Sequence, residues 1–232
     1  MSGTMLSIII PVLDEAAEIE AALTALSPYR ARGAELIVVD GGSRDGTTAL
    51  ARHLADRVLA APRGRATQMN AGAAVARGSV LVFLHADTRL PANADALLRD
   101  GLACSGRTWG RFDVQFDRGG FLSLIALMMN LRSRLTGIAT GDQAMFVEHA
   151  TFDAAGGFPP IALMEDVALS TRLKRIGQPF CVRACVTTSA RRWRKDGGFH
   201  TVLLMWQLRL AYFLGADPAH LARHYGYAPA DQ

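Results

Sequence analysis

The sequence predicts an α/β domain whose mostly parallel central sheet is flanked by helices. Short apolar segments alternate with helix-like patterns over residues 6–88, in the order β-α-β-α-β-α-β. Half of the 232 residues are apolar and 20% are charged, which is enough apolar material for a sizeable core. No linker or repeat interrupts the chain, so we expect residues 1–232 to form a single domain.

The first strand and helix meet at the acidic pair 14–15. Leu6–Val12 is a mostly apolar run that suits a buried strand, and Pro11 near its end suits an exit to a loop. A helix is expected from there to about Leu26, with Ile19 and Leu23 on its apolar face.

The second apolar run, residues 36–39, ends at Asp40 and is followed by a glycine-rich loop at 40–47. Glycine permits the backbone conformations and close approach that a bound nucleotide needs. We expect Thr47 to cap a helix that continues to His53, and residues 58–60 to form a short third strand.

The fourth strand is predicted at residues 80–84, an uninterrupted apolar run. The helix before it is expected over residues 63–76, with Gly78 at its C-terminal end. Parallel strands joined by helices require right-handed crossovers. Because no GxGxxG motif follows the first strand, dinucleotide binding of the Rossmann type is not expected.

The second half of the chain is less regular. Alternation in Trp109–Phe116 predicts a strand with Phe112 and Val114 on one side and Arg111 and Asp113 on the other. The other expected elements are helices at 121–135, 164–175 and 200–214, an extended segment at 180–189, and loops at 141–147 and 156–160.

Carboxylates follow the apolar strands or open the helices. Glu15, Asp40 and Asp87 are expected at the carboxyl edge of the parallel sheet, where ligands bind in open α/β folds. Glu165 and Asp166 would face them from the other half. Such groups can hold a divalent cation or take a proton from a hydroxyl. The alternatives are a turn cap for Asp87 and a helix-dipole pair for Glu165 and Asp166.

Four segments, at residues 7–15, 38–47, 85–87 and 165–166, resemble in order and spacing the successive motifs of family 2 glycosyltransferases with the GT-A fold. The resemblance implies a GT-A-like sheet with a nucleotide-sugar-binding half at 1–117 and an acceptor and catalytic-base half at 118–232. It also implies a nucleotide-diphospho-sugar donor and inverting transfer to an acceptor hydroxyl.

The resemblance also implies roles for individual residues. Asp166, with Glu165 beside it, would be the catalytic base, and Asp87 and His200 would bind Mn²⁺ or Mg²⁺. The residues expected to contact the nucleotide-sugar are Pro11, Glu15, Asp40, Gly41, Ser43, Arg65, His85, Ala86 and Arg192. Those expected on the acceptor side are Gly141, Asp142, Gln143 and Trp193.

The chain departs from the family pattern at three sites, the mildest of which is Asp14 in place of the commoner Asn before Glu15. His85 stands where the metal motif DxD has its first acid, and it is a softer ligand than Asp. Residues 189–193 keep the Arg-Trp of the QxxRW motif of processive synthases but lack its Gln. Arg191, Arg192 and Lys195 would clamp the leaving diphosphate or form a solvated face, and His200 is either a ligand or a surface residue.

Charge and composition restrict the partners and the location. A net charge of +4 favours anionic partners, but the basic segment lacks the aromatic platforms of a nucleic-acid binder. The cysteines have no CxxC spacing and are expected to be reduced in a cytoplasmic protein. The apolar helices at 121–135 and 200–214 fit a core, a homodimer interface, or docking at the inner membrane face beside a lipid-linked acceptor.

We therefore expect a metal-assisted glycosyltransferase. One alternative is a sugar nucleotidyltransferase, but that class has a glycine-rich, Arg-containing loop where this chain has Val-Leu-Asp-Glu at residues 12–15. The other is a non-catalytic nucleotide-sugar-binding protein, which would not need both Asp87 and Asp166.

Overall fold

The computed structural model describes residues 5–191 and 198–226, and these ranges contain one sheet with the strand order β3-β2-β1-β4-β7-β6-β8-β5. The strands are β1 Leu6–Val12, β2 Glu35–Asp40, β3 Arg57–Ala60, β4 Val80–Phe83, β5 Thr88–Arg89, β6 Trp109–Phe116, β7 Phe146–Glu148 and β8 Phe180–Thr188. The helices are α1 Ala16–Ala31, α2 Thr47–Ala51, α3 Arg65–Val75, α4 Ala94–Ser105, α5 Phe121–Thr136, α6 His149–Ala154, α7 Glu165–Ile176, α8 Gly198–Phe213 and α9 Pro218–His224.

The N-terminal half has the predicted parallel sheet. β1 pairs in parallel with both β2 and β4, and β2 pairs in parallel with β3. Val12 lies opposite Asp40, and Ile9 lies opposite Phe83, so the three central strands end at the same edge. The carboxylates that follow β1, β2 and β4 are thereby brought to that edge, as expected for an α/β sheet.

Two apolar layers cover the faces of the sheet. Ile8 and Ile10 of β1 point to the layer that contains Leu23 of α1, whereas Ile9 points to the layer that contains Met69 of α3. All three isoleucines are fully buried. A strand covered on both faces reads as a continuous apolar run, which is why β1 lacks alternation.

The C-terminal half extends the same sheet with mixed pairing. β7 is antiparallel to both β4 and β6, and β8 is parallel to β6 and antiparallel to β5. The predicted mostly parallel sheet is therefore confirmed, with β7 as the antiparallel strand at its centre. No helix in the described part of the chain is long and apolar enough to cross a bilayer.

The polar side of β6 is buried, although alternating strands often expose that side. Arg111 is fully buried, and its Nε donates to Ser133 Oγ of α5 at 3.0 Å. Arg111 also pairs with Asp113, and Asn130 of α5 bonds the backbone of Val114 in both directions. Helix α5 covers this side, so the polar groups are satisfied inside the protein.

Two local expectations were wrong. α2 ends at Ala51 rather than near His53, and it starts after Gly46 in the left-handed region, so Thr47 is its first residue and not its cap. Gly78 does not end α3, which stops at Val75. A Cβ at Gly78 would lie 2.6 Å from the Ser7 amide nitrogen, so glycine is needed there for close approach to β1.

Three helices are absent from the sequence prediction: α4, α6 and α9. In α4 the apolar positions Leu98 and Leu102 are separated by Gly101, which weakens the helical pattern. Gly101 has a packing role, because a Cβ there would lie 2.1 Å from Phe180 Cε1 of β8. Contact with a distant strand, and not helix propensity, therefore accounts for this glycine.

Candidate active site

A cavity of about 530 Å³ opens at the carboxyl edge of the sheet, between the ends of β1 and β4, the start of α7, and helices α5 and α8. Most of the predicted site residues line it: Pro11, Glu15, Arg65, His85, Ala86, Asp87, Gly141, Asp142, Glu165 and Asp166. The convergence of these side chains from distant parts of the chain makes this cavity the candidate active site.

Other predicted residues lie beside the cavity and do not line it. Asp40 is the last residue of β2, Gly41 and Ser43 belong to the loop that follows it, and Gln143 is fully buried next to the lining residue Asp142. Arg192 and Trp193 fall outside the described residues, as does the side chain of His200, whose backbone belongs to α8. The proposed ligand contacts of all these residues stay predictions.

The loop after β2 holds the start of α1 in place. Ser43 Oγ accepts from the Asp14 amide at 2.8 Å, Thr47 Oγ1 from the Glu15 amide at 2.9 Å, and Asp45 Oδ2 from the Ala16 amide at 2.9 Å. Since the first amides of a helix lack partners within the helix, this second loop caps α1 and thereby positions Glu15.

The Asp40 carboxylate accepts hydrogen bonds from backbone amides of that loop. Its Oδ2 accepts from the amides of Gly42 and Ser43, both at 3.0 Å. Gly42 has φ +99°, a conformation that favours glycine. The glycine-rich motif thus builds a rigid loop at the cavity edge.

The end of β4 places Asp87 next to Glu15. Burial raises the pKa of Glu15 and the charge of Asp87 adds to this rise, while Arg191 opposes it. Arg191 Nη2 lies 3.4 Å from Glu15 Oε2. Asp87 Oδ1 accepts a long hydrogen bond of 3.4 Å from Thr88, which leaves acceptor sites on this carboxylate for a ligand.

The start of α7 holds two carboxylates in different surroundings. Asp166 Oδ2 accepts from the Gly141 amide at 2.9 Å, and its Oδ1 accepts from the Val167 amide at 2.7 Å. Glu165 is buried, and burial, with the charge of Asp166, raises its pKa to about 7, while Arg65 acts in the opposite direction. Asp166 is therefore held in a fixed orientation, and the neighbouring Glu165 binds a proton near neutral pH.

His85 contacts the loop that holds Asp166. Its Nδ1 lies 3.6 Å from Asp142 Oδ1, and a Cβ at Gly141 would lie 2.7 Å from the imidazole ring. Removal from water works to raise the pKa of Asp142, but the contact with His85 and the charge of Arg65 hold it below its usual value. Gly141 is therefore needed for the ring to approach this loop.

The side chains of this site fit a divalent cation only if a bound ligand supplies some of the oxygen donors. Among residues 5–191 and 198–226, no group of three or more His, Cys, Asp or Glu side chains could hold a metal ion. Glu15 contacts Arg191 and His85 contacts Asp142, whereas the Asp87 carboxylate accepts a long hydrogen bond from Thr88 and retains acceptor sites. Mg²⁺ is commonly bound by one or two carboxylates and completed by phosphate oxygens and water, so the donor set fits a phosphate-bound cation.

The cavity lining also includes Gln68, Arg132 and Arg209, none of which was predicted as a site residue. From the sequence, Arg132 and Arg209 were expected beside the apolar helices, where they would favour anionic lipid. Gln68 Nε2 donates to the carbonyls of Val12 at 2.9 Å and Val39 at 2.8 Å, which joins the ends of β1 and β2. Nothing in the sequence singles out Gln68. A charged residue within an otherwise apolar helix was an available signal for Arg132 and Arg209.

Backbone strain occurs next to the cavity. Among the described residues, the non-glycine residues with positive φ are Asp14 (53°), Ala144 (44°) and Met164 (71°). Asp14 precedes Glu15, Ala144 follows the turn Gly141–Gln143, and Met164 precedes Glu165. Such conformations are costly and cluster at functional sites, which supports this location.

The sequence matches the glycosyl transferase family 2 over residues 7–144. It is 38% identical over 106 residues to a PGL/p-HBAD biosynthesis glycosyltransferase from Mycobacterium tuberculosis and to its counterpart in Mycobacterium bovis. The aligned region covers 43% of this chain and 41% of those proteins, so the chain spans about two fifths of the length of the curated relatives it matches.

Solved structures share the fold. TarS residues 1–349 from S. aureus, in complex with UDP, matches 80% of this chain and 60% of its own with a TM-score of 0.65 at 17% identity. Glucosyl-3-phosphoglycerate synthase from Mycobacterium tuberculosis, with Mn²⁺, UDP and its product, matches 81% and 71% with a TM-score of 0.61 at 22% identity. A mannosyltransferase from Pyrobaculum calidifontis, with GDP-Man and Mn²⁺, matches 92% and 65% with a TM-score of 0.65 at 22% identity.

Proposed function

This chain belongs to the glycosyl transferase family 2 and has the GT-A fold, and from that premise we propose that it transfers a sugar from a nucleotide-diphosphate donor to an acceptor hydroxyl with inversion. The observation that carries the proposal is the convergence of Asp87 and Asp166 on one cavity. One carboxylate adjoins the nucleotide-side strands, and the other opens the helix on the acceptor side.

The diphosphate of the donor would bind beside Asp87. Glu15, Arg65 and Arg191 line the same cavity, and the two arginines supply positive charge for phosphate oxygens. Relatives with this fold contain Mn²⁺ or Mg²⁺ together with UDP or GDP-Man. Asp87 would hold such a cation, which supplies neutralisation of the diphosphate charge when bound.

Asp166 would act as the general base. Backbone amides from Gly141 and Val167 orient its carboxylate, and each oxygen retains a second acceptor site. The acceptor hydroxyl loses its proton to Asp166 as its oxygen bonds to the anomeric carbon. The bond from that carbon to the diphosphate breaks, and the nucleoside diphosphate leaves with the electron pair.

Asp166→Asn tests the proposal because it keeps the side-chain shape and removes the base. We expect nucleoside diphosphate release from a UDP-, GDP- or dTDP-sugar, with water or a supplied alcohol as acceptor, to fall by ~10²–10⁴-fold. Donor affinity should stay within about threefold, since that is under 1 kcal/mol. Asp100→Asn, an exposed position on α4, is the matched control.

Two results would contradict the proposal. Unchanged release by the Asp166→Asn variant would remove Asp166 from the base role and favour a non-catalytic binding protein. Failure of the wild-type chain to bind any of these donors, with or without Mn²⁺, would contradict the proposal that its donor is a nucleotide-sugar. Membership of the family already argues against the sugar nucleotidyltransferase alternative.

A further inference from the structure

Arg132 is a half-buried arginine, and two of its three guanidinium nitrogens have no hydrogen-bond partner among the described residues. It extends from α5 into the cavity, and among the described residues its Nε and Nη2 atoms have neither solvent contact nor a bonded partner. Burial lowers the pKa of Arg132 to about 10, and the charge of Arg209 adds to this effect. Buried polar groups normally have partners, so these atoms indicate a ligand that supplies acceptors.

Arg209 of α8 lines the same cavity and brings a second positive charge to it. Asp166 is the negative charge that acts on Arg132, but it forms no hydrogen bond with Arg132 Nε or Nη2. Two cations on facing helices repel each other unless an anion lies between them. Phosphate and carboxylate are the groups that arginine pairs bind most strongly.

The wall next to these arginines is apolar. Met128 of α5 and Met205 and Trp206 of α8 line the cavity, and Met128 and Trp206 are also exposed to solvent. They belong to exposed apolar stripes with helical spacing, formed on α5 by Phe121, Leu124, Leu127, Met128, Leu131 and Leu135 and on α8 by Leu203, Trp206, Leu210 and Phe213. An apolar path therefore leads from the arginines to the surface.

We propose that the acceptor is an acidic amphiphile: its phosphate or carboxylate binds Arg132 and Arg209, and its apolar chain leaves along Met128, Met205 and Trp206. This inference rests on the proposed transfer reaction, in which the acceptor hydroxyl approaches Asp166. Asp166 and Arg132 line the same cavity, so an anion at Arg132 brings the adjoining part of the acceptor into the cavity that contains the base. The exposed stripes hold the chain, or the lipid layer from which the acceptor comes.

Three related probes separate the parts of this ligand. 1-Oleoylglycerol 3-phosphate has the anion, the chain and a free hydroxyl, whereas 1-oleoylglycerol lacks the anion and glycerol 3-phosphate lacks the chain. We expect the 232-residue chain, titrated calorimetrically with submicellar lipid, to bind the first probe at least ~10-fold more tightly than either of the others, because each of the others lacks one of the two contacts.

Variants then show which side chains contact the phosphate of the probe and which contact its apolar chain. Arg132→Gln combined with Arg209→Gln should weaken binding of the lipid phosphate by ~10-fold or more and leave 1-oleoylglycerol unchanged. Trp206→Ser should weaken both lipids and leave glycerol 3-phosphate unchanged. Arg175→Gln, at an exposed position in the last turn of α7, is the matched control and should have no effect. Thermal unfolding of each variant checks that the protein is folded.

Equal affinity for the phosphorylated and neutral lipids would overturn the inference. So would a parallel loss of UDP affinity in the double arginine variant, because the arginines would then bind the donor diphosphate. Failure of the proposed function has a different signature: wild-type protein would neither bind a nucleotide-sugar nor release its nucleoside diphosphate, whatever the lipid results.

Discussion

Neighbouring carboxylates at the start of α7 differ in chemistry because their surroundings differ. Asp166 accepts hydrogen bonds from two backbone amides, which orient its carboxylate, whereas Glu165 is buried beside it. Desolvation disfavours the charged form of a buried acid, and a neighbouring negative charge adds to that effect. The pKa of Glu165 is therefore raised to about 7, and this group is the main pH-dependent element of the site.

Glu165→Gln should alter how stability depends on pH. In the unfolded chain Glu165 titrates near 4.5, and in the folded protein near 7, so the folded state binds the extra proton between these values. Stability therefore falls as pH rises from 4.5 to 7. Gln mimics the protonated acid, so we expect the variant to match wild type at pH 4.5 and to exceed it by about 3 kcal/mol at pH 8.

Urea unfolding at the two pH values measures this difference. Glu148→Gln, in which a half-buried glutamate of β7 is changed instead, is the control and should show no such gain at pH 8. A Glu165→Gln variant that is no more stable than wild type at pH 8 would show that Glu165 ionises in the folded protein without cost.

Asp87→Ala should weaken donor binding only when the cation is present. With Mn²⁺ we expect the Kd for UDP to rise by ~10-fold or more, since the variant loses a ligand of the phosphate-bound cation. In EDTA the two proteins should bind UDP equally within about twofold. Asp100→Ala is the control, and an equal loss with and without Mn²⁺ would argue against a metal ligand at Asp87.

At the scale of elements, β6 and β8 are in close contact. These strands pair in parallel from Gly110–Phe180 to Phe116–Thr188, with an irregularity between Phe112 and Asp113. Helix α5 covers β6 through the buried Arg111 network, and the same helix carries Arg132 into the cavity. The packing of α5 on β6 therefore determines where Arg132 lies.

Gly110→Ala should destabilise the protein because of the β6–β8 contact. A Cβ at Gly110 would lie 2.0 Å from the Phe180 carbonyl oxygen, which is backbone and cannot rotate away. We expect a loss of about 2–3 kcal/mol in unfolding free energy. Gly177→Ala is a matched control, since Gly177 is extended at φ −178° with nothing within 4 Å of the new Cβ, and it should change stability by less than about 0.5 kcal/mol.

For the whole molecule, the sheet joins the two halves that the sequence analysis separated at residue 117. β7 comes from the second half and lies between β4 and β6 of the first. Val82 lies opposite Phe146, and Trp109 lies opposite Val147, so the core crosses the boundary. We propose that the chain folds as one cooperative domain.

Expression of residues 1–117 alone tests that proposal. Without β7 and β8, the fragment exposes the edges of β4 and β6 and the apolar side chains that cover them. We expect no cooperative urea transition and no UDP binding, in contrast to the full-length chain. A fragment that unfolds cooperatively and binds UDP would show that the nucleotide-binding half is an independent unit.

Much of the fold and part of the site could be predicted because the relevant signals are local. Apolar runs at Leu6–Val12 and residues 80–84 indicated buried parallel strands, and polarity at their ends placed Glu15 and Asp87 at one edge. Helix α4 was missed because Gly101 is determined by a contact with Phe180, which lies far away in the sequence.

By itself the sequence determined the parallel N-terminal sheet, the GT-A likeness and the acids that meet in the cavity, because strand patterning and motif order depend on neighbouring residues. Only the tertiary structure decided that Asp45 accepts from the first amide of α1, that Arg111 is buried, and that Arg132 and Arg209 face one cavity. Those outcomes depend on which helix covers which face of the sheet. That choice is made by packing between segments distant in sequence, and it leaves no periodic signal in either segment alone.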